Sequence, residues 1–161
     1  MKKQAITLLL LSCAIMAACN FSKGAKKDLL TGLSFNYNGF RVRDVVLLDP
    51  ANKAMTSNKV QLNTQIAVAA VGMNNYGLKD GKAFPGMMLL VTDKKGVPVI
   101  SAADLFDGDQ GHPPASATEL RGTITVAQPM AAGETYHVKL HIWDKVTAAN
   151  ELNAETDLVV Q

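Results

Sequence analysis

Apolar and polar residues alternate with a period of two along much of this chain, and this alternation constrains the fold more than any other feature. In the segment 59–70 (KVQLNTQIAVAA), apolar residues share one parity: Val60, Leu62, Ile66, Val68 and Ala70. The segment 119–129 repeats the pattern with Leu120, Ile124 and Val126. Because successive side chains of a strand point to opposite faces, each segment predicts a strand with one face in a core and the other in water.

Further strand candidates are separated by turns that contain Gly or Pro. The candidates are 33–37, 39–49, 86–93, 97–101, 133–145 and 156–161. One short helical turn is predicted at 101–106, where Ser101 and Asp104 have the spacing of a capping box. Seven or eight short strands predict an all-β fold, and we expect an antiparallel β-sandwich over residues 32–161, with a small barrel as the alternative.

The first 18 residues have the organisation of a secretory signal peptide. Lys2 and Lys3 precede an apolar run, and the run ends in Met16-Ala17-Ala18-Cys19. The apolar run is too short for a membrane-spanning helix. This ending resembles the lipobox of bacterial lipoproteins, which implies cleavage before Cys19 and lipid modification of that cysteine. The alternative is an ordinary secretory signal followed by an incidental cysteine.

Charge and cysteine content support an anchored, exported domain. Cleavage would remove Cys13, so Cys19 would be left without a disulfide partner. Removing Lys2 and Lys3 lowers the basic residues from 16 to 14, equal to the acidic residues. No basic stripe suggests nucleic-acid binding. Residues 19–31 have no sustained periodicity and predict a flexible tether, whose lysines are either solvated or close to anionic lipid head groups.

Two histidines in the segment 133–145 raise the question of a metal site. His137 and His141 would share one face of a helix and one zinc ion, but in a strand they would be about 13 Å apart. Tyr136, Val138, Leu140 and Ile142 alternate with them without interruption. The segment therefore predicts a strand and no shared metal.

Two residues at the end of this segment are candidates for contact with a partner. Trp143, the only tryptophan of the chain, has the parity of the histidines and is expected on the polar side, unless a loop covers it. Asp144 follows at the point where the strand meets the loops. An exposed indole can stack on a sugar or anchor a protein partner.

The acidic loop DLFDGDQGH is the best candidate for a cation site. Asp107 and Asp109, with Asp104 nearby, offer carboxylate oxygens of the kind that calcium prefers. The loop lacks the DxDxDG pattern, and Asp-Gly is also an ordinary turn. A calcium-dependent sandwich that binds lipid or glycan through residues 104–109 is therefore the alternative function.

Two resemblances extend this interpretation. Met130, Gly133 and Tyr136 resemble the tyrosine corner of immunoglobulin-like domains, which implies a hydrogen bond from the Tyr136 hydroxyl to the preceding turn. The run FPGMMLLVTDKKGVPVISAADLFDG is similar to a segment of small bacterial envelope lipoproteins with one such domain, whose role is uncharacterised.

Motifs with catalytic specificity are missing from the sequence. GxSxG, HExxH and a glycine-rich phosphate loop are all absent. We therefore expect a non-enzymatic, lipid-anchored envelope protein that acts as a binding or assembly module for a protein or glycan and needs no cofactor. Asn20 after the cysteine favours the outer membrane over the inner, by analogy with lipoprotein sorting rules.

Overall fold

The computed structural model describes residues 22–161, so the predicted signal peptide and Cys19 lie outside the described range. Ten strands occupy this range: β1 (Lys23–Lys27), β2 (Ser34–Asn38), β3 (Asp44–Leu48), β4 (Lys59–Val60), β5 (Thr64–Val71), β6 (Pro85–Thr92), β7 (Pro98–Ala102), β8 (Glu119–Val126), β9 (Thr135–Asp144) and β10 (Glu151–Val160). A 3-10 helix, Pro114–Ala117, precedes β8. Within residues 22–161, no helix has the length and apolar character needed to cross a membrane.

The strands form two sheets. The large sheet has the order β1-β2-β10-β9-β6-β7, with β4 paired to the end of β10, and the small sheet has the order β3-β5-β8. Every pairing between these strands is antiparallel except that of the two-residue β4. The predicted all-β, antiparallel sandwich is confirmed, with more strands than expected because β1 and β4 are short and weakly patterned.

The core lies between the sheets and follows the predicted alternation. Tyr136, Val138, Leu140 and Ile142 of β9 are all buried, as are the alternating residues of β5 and β8: Ile66, Val68, Ala70, Leu120, Ile124 and Val126. Gly122 of β8 permits close approach of the sheets, since a Cβ atom there would lie 2.9 Å from Leu140 Cδ1.

Two local predictions need correction. The segment 59–70 is divided into β4 and β5 at Asn63, which adopts a left-handed conformation with φ of 63°. The prediction of a helical turn at 101–106 is wrong, because Ser101 belongs to β7 and pairs with Leu90 of β6. Pairing along a strand supplies more backbone hydrogen bonds than a single helical turn supplies.

The predicted tether over 19–31 is also wrong for most of its length. Lys23–Lys27 form the edge strand β1, which pairs with β2 from Lys23↔Asn38 to Lys27↔Ser34. The connecting turn is ordered by the Asp28 carboxylate, which accepts hydrogen bonds from Leu30 N at 2.9 Å and Thr31 Oγ1 at 2.7 Å. The folded region therefore includes residues that precede the expected boundary at residue 32.

The hydrogen bond that the tyrosine-corner resemblance implies is present. The Tyr136 hydroxyl accepts a hydrogen bond from Ala131 N at 2.9 Å, and Gly133 has a φ of 85°, which favours glycine. Gly133 N also donates to Val160 O at 2.8 Å. This corner fixes the turn that leads into β9.

Replacing Tyr136 by Phe is expected to lower the free energy of unfolding by about 1 kcal/mol, because Ala131 N loses its acceptor while the ring stays packed. Urea denaturation measures the effect. The matched control is Tyr37→Phe, since the Tyr37 hydroxyl has no hydrogen bond to another described residue. Equal losses of unfolding free energy in the two variants would contradict the role of the tyrosine corner.

Candidate functional site

A groove crosses the outer face of the large sheet, the face directed away from the small sheet. It has two parts, of about 660 Å³ and about 690 Å³, which share Met88 and His141. The first part extends over β9, β10 and β2 to β1, and the second extends from β9 toward the β9–β10 loop. We call the two parts together the outer groove.

The register of the sheet explains the position of the outer groove. His141 is paired with Met88 on one side and Asn153 on the other, and Asn153 is paired with Asn36, which is paired with Ala25. These residues form one row across five strands, and the row ends in the short side chains of Asn36 and Ala25. The row of side chains therefore ends in its smallest member at β1.

Trp143 lies on this face, as its parity predicts, and is half-buried. A Cβ atom at Gly86, its neighbour on β6, would lie only 2.1 Å from the indole ring, so the ring packs directly over that glycine. The rings of Trp143 and His141 are 5.3 Å apart and inclined by 32°. Gly86 thus allows the indole to lie along the sheet and to line the groove.

The two β9 histidines are close to different acids on β10, and His137 lies near both Asp157 and Glu155. His137 Nδ1 is 2.8 Å from Asp157 Oδ1, whereas His141 Nε2 is 3.6 Å from Glu151 Oε2, too far for a hydrogen bond. His141 Nε2 is buried and makes no hydrogen bond to a described residue. The segment 135–144 is a strand, as predicted, and it keeps the rings of His137 and His141 apart, so that they contact different carboxylates.

The prediction that Asp144 contacts a partner needs correction, because its side chain is only 1% exposed. Its carboxylate accepts hydrogen bonds from Gly77 N at 2.6 Å, Val146 N at 2.9 Å and Asn150 Nδ2 at 3.1 Å. Burial, and then the nearby Asp144 carboxylate, raise the pKa of Tyr76. Asp144 thus joins the 72–84 loop to the β9–β10 loop, and a sequence signal for this existed: it has the parity of the buried β9 residues.

The three aspartates of the acidic loop do not converge. Asp104 Oδ2 is 2.6 Å from Lys145 Nζ, and Asp104 Oδ1 accepts hydrogen bonds from Met87 N and Phe106 N. Partial burial raises the pKa of Asp104, but the Lys145 ammonium and these two donors outweigh it, so the pKa lies below its ordinary value.

The remaining two aspartates of the loop share none of the contacts that Asp104 makes. Asp109 accepts a hydrogen bond from Gly111 N and lies 2.8 Å from His112 Nε2, whereas Asp107 is exposed. Across residues 22–161 no group of three or more His, Cys, Asp or Glu side chains is placed to hold a metal ion. The carboxylates proposed as calcium ligands therefore mostly serve to order the loop.

Comparisons with known proteins bear on the fold. No protein-family model matches the chain, and no curated protein matches it. The C-terminal domain of wzt matches with a TM-score of 0.51 and 10% identity, over 89% of this chain and 79% of that one. A superoxide reductase (neelaredoxin) from Ignicoccus hospitalis matches with a TM-score of 0.38 and 8% identity, over 78% and 82% of the two chains. At 10% identity the likeness to the wzt domain concerns the fold alone.

Replacing Asp144 by Ala is expected to lower the free energy of unfolding by about 3 kcal/mol, because three donors lose their acceptor in a buried site. The exposed Asp107→Ala is the matched control and should change it by less than about 0.5 kcal/mol. Urea denaturation distinguishes the two. An Asp144→Ala variant as stable as the control would contradict the role of Asp144 in holding the two loops together.

Proposed function

We propose that this protein is a lipid-anchored, non-catalytic binding module of a bacterial envelope, and that it holds a glycan in the outer groove. The observation that carries the proposal is the groove itself, with Trp143 seated over Gly86 beside polar side chains. A half-buried indole and planar amides suit a sugar ring, which presents an apolar face and a hydroxyl rim.

The pairing of the sheet favours a glycan over an extended peptide in this groove. Four of the five strands that form its floor, β2, β10, β9 and β6, each have a hydrogen-bonded neighbour on both sides, and only the edge strand β1 does not. Over those four strands the backbone groups cannot accept an added strand, so recognition there must come from side chains. The outward residues available are polar and varied: Asn36, Lys139, Asn153 and Glu155.

The spacing of the groove carboxylates supports a non-catalytic role toward a glycan. Glu151 and Glu155 lie on the same face of β10, four residues apart, which corresponds to about 13 Å in a strand. Carboxyl pairs that cleave a glycosidic bond are about 5–9.5 Å apart. With Cα atoms this far apart, the pair is too widely spaced to flank one bond. Asp157, whose carboxylate lies nearer to Glu155 because both contact His137, does not line the groove.

The lipid anchor is proposed from the sequence, with Cys19 as the modified residue and the outer membrane favoured over the inner. Mass spectrometry of the mature protein tests it. We expect an N-terminal residue 19 carrying acyl chains, and replacement of Cys19 by Ala should release the protein from the membrane fraction. An unmodified cysteine, or cleavage at another position, would overturn this part of the proposal.

Ligand binding can be followed directly, because Trp143 is the only tryptophan and lies in the groove. Titration with soluble oligosaccharides from bacterial envelopes should shift its fluorescence. Asn153→Ala should weaken binding at least about tenfold, since a buried hydrogen bond to a sugar is worth about 1.5 kcal/mol. Gln65→Ala, on the exposed face of the small sheet, is the control.

Two results of this titration would contradict the glycan proposal. One is the absence of any shift across a panel of envelope oligosaccharides, and the other is equal weakening by Asn153→Ala and Gln65→Ala. Loss of binding on addition of a chelator would instead favour the calcium-dependent alternative through residues 104–109.

A further inference from the structure

The β1–β2 hairpin carries the most exposed large apolar side chains of the described residues. Leu29 is 88% exposed and Leu30 is 66% exposed, and they are adjacent in the turn that joins β1 to β2. The turn is ordered by the Asp28 carboxylate and by a hydrogen bond from Asp28 N to Leu33 O at 2.8 Å. Thr31, next to the pair, is 1% exposed. The two leucines are thus held outward by a folded turn.

Basic residues accompany these leucines along the same hairpin. Lys23, Lys26 and Lys27 lie on β1, while Asp28 is the only acid in residues 22–33. Lys26 is paired with Asp44 of β3 at 2.6 Å, which fastens the edge of the large sheet to the small sheet. Lys23 and Lys27 are exposed and have no ion pair with another described residue. An apolar pair beside free lysines matches the chemistry of an anionic membrane surface.

The attachment point of the chain determines how close this hairpin must be to the membrane. Ser22 is held to the start of the 39–43 loop, since Gly39 N donates to Ser22 O at 2.7 Å and Ser22 Oγ donates to Phe40 O. Three Cα–Cα steps separate Cys19 from Ser22, so the chain spans at most about 11 Å. An acylated Cys19 would therefore keep the Ser22 end of β1 at the head groups.

We propose that the β1–β2 hairpin lies along the membrane surface, with Leu29 and Leu30 inserted at the boundary of head groups and acyl chains and with Lys23 and Lys27 against anionic lipids. This inference rests on the proposed lipidation of Cys19. β1 is about 17 Å long. If the membrane surface touches both the Ser22 end of β1 and the turn that carries the two leucines, β1 lies parallel to that surface. In this orientation the β1 edge of the large sheet faces the bilayer.

The test uses the full-length protein, matured in bacteria and reconstituted in vesicles of phosphatidylethanolamine and phosphatidylglycerol. Acylation leaves no free thiol at Cys19, so a single introduced cysteine can carry an environment-sensitive fluorophore. Three positions report on three orientations: Leu30→Cys in the hairpin turn, Leu78→Cys in the 72–84 loop at the Ser22 end, and Val97→Cys in the β6–β7 turn.

Val97 is a matched control for Leu30. It is 55% exposed and lies in a turn at the same end of the sandwich, but at the opposite edge of the large sheet, about 24 Å away across six strands. We expect nitroxide lipids to quench the label at Leu30 and its emission to shift to the blue, with neither effect at Leu78 or Val97. Quenching at Leu78 with none at Leu30 would overturn the proposal in favour of an end-on orientation, and quenching at no position would show a domain held away from the bilayer.

A second measurement tests the leucine pair itself. A fluorophore at Ala25→Cys, in the middle of β1, should be quenched less in the Leu29→Ser/Leu30→Ser variant than in the parent, and less in phosphatidylcholine vesicles than in anionic ones. Unchanged quenching in the double variant would overturn the role of the leucines. The mass of the mature protein separates the two levels of failure: without acyl chains on Cys19 the proposed anchor fails and the inference with it, whereas an acylated protein with an unquenched Leu30 label contradicts the orientation alone.

Discussion

The antiparallel pairing of β9 with β10 on one side and β6 on the other is the constraint on which the rest of the structure depends. β9 is paired with β10 from Trp143↔Glu151 to Thr135↔Val159 and with β6 from Asp144↔Pro85 to His137↔Thr92. One parity of β9 fills the core and the other forms the floor of the outer groove. A slip of one residue would exchange the two faces and expose the core residues to water. The tyrosine corner fixes where this strand begins, and Asp144 fixes where it ends.

The buried Asp144 carboxylate explains how the loops at one end of the sandwich are held. An isolated buried charge is strongly unfavourable, but here two backbone donors and the Asn150 amide replace the lost water. Asn150 Nδ2 also donates to Asn75 O at 2.8 Å, so the same cluster joins the β9–β10 loop to the 72–84 loop. Ala148 and Lys145 line the second part of the outer groove. The shape of that part therefore depends on a polar cluster below it.

The features that could be predicted from the sequence are those encoded within one strand. Period-two alternation predicted β5, β8 and β9 with the correct buried faces, because each carries its own pattern of apolar residues. β1 could not be predicted in this way, because KGAKK has neither alternation nor strong strand propensity and is ordered by pairing with β2. The first half of β10, with the sequence ELNAE, does alternate, but its Glu, Asn and Ala residues have weak strand propensity, and neighbours on both sides order it.

The site was harder to predict than the strands because its contacts join strands that are distant in the sequence. Trp143 could be assigned to the polar face from its parity, but its contact with Gly86 depends on the register of β9 against β6. The row from Met88 to Ala25 joins five strands that are distant in the sequence. For Asp144 the parity correctly indicated a buried side chain. The expectation of a surface contact was wrong because the position of Asp144 at the end of β9 was given more weight than the alternation.

One strand connects the two proposed surfaces. Lys23, Ala25 and Lys27 are paired with Asn38, Asn36 and Ser34, so these alternate residues share the face of the outer groove, while β1 itself forms the edge proposed to meet the bilayer. With that edge against the membrane, the sheet would stand upright and the end of the groove near Asn36 and Ala25 would open beside the head groups. A glycan bound there would lie at the membrane surface. The two proposals together would therefore favour glycans that are themselves attached to the membrane over polymers free in the surrounding compartment.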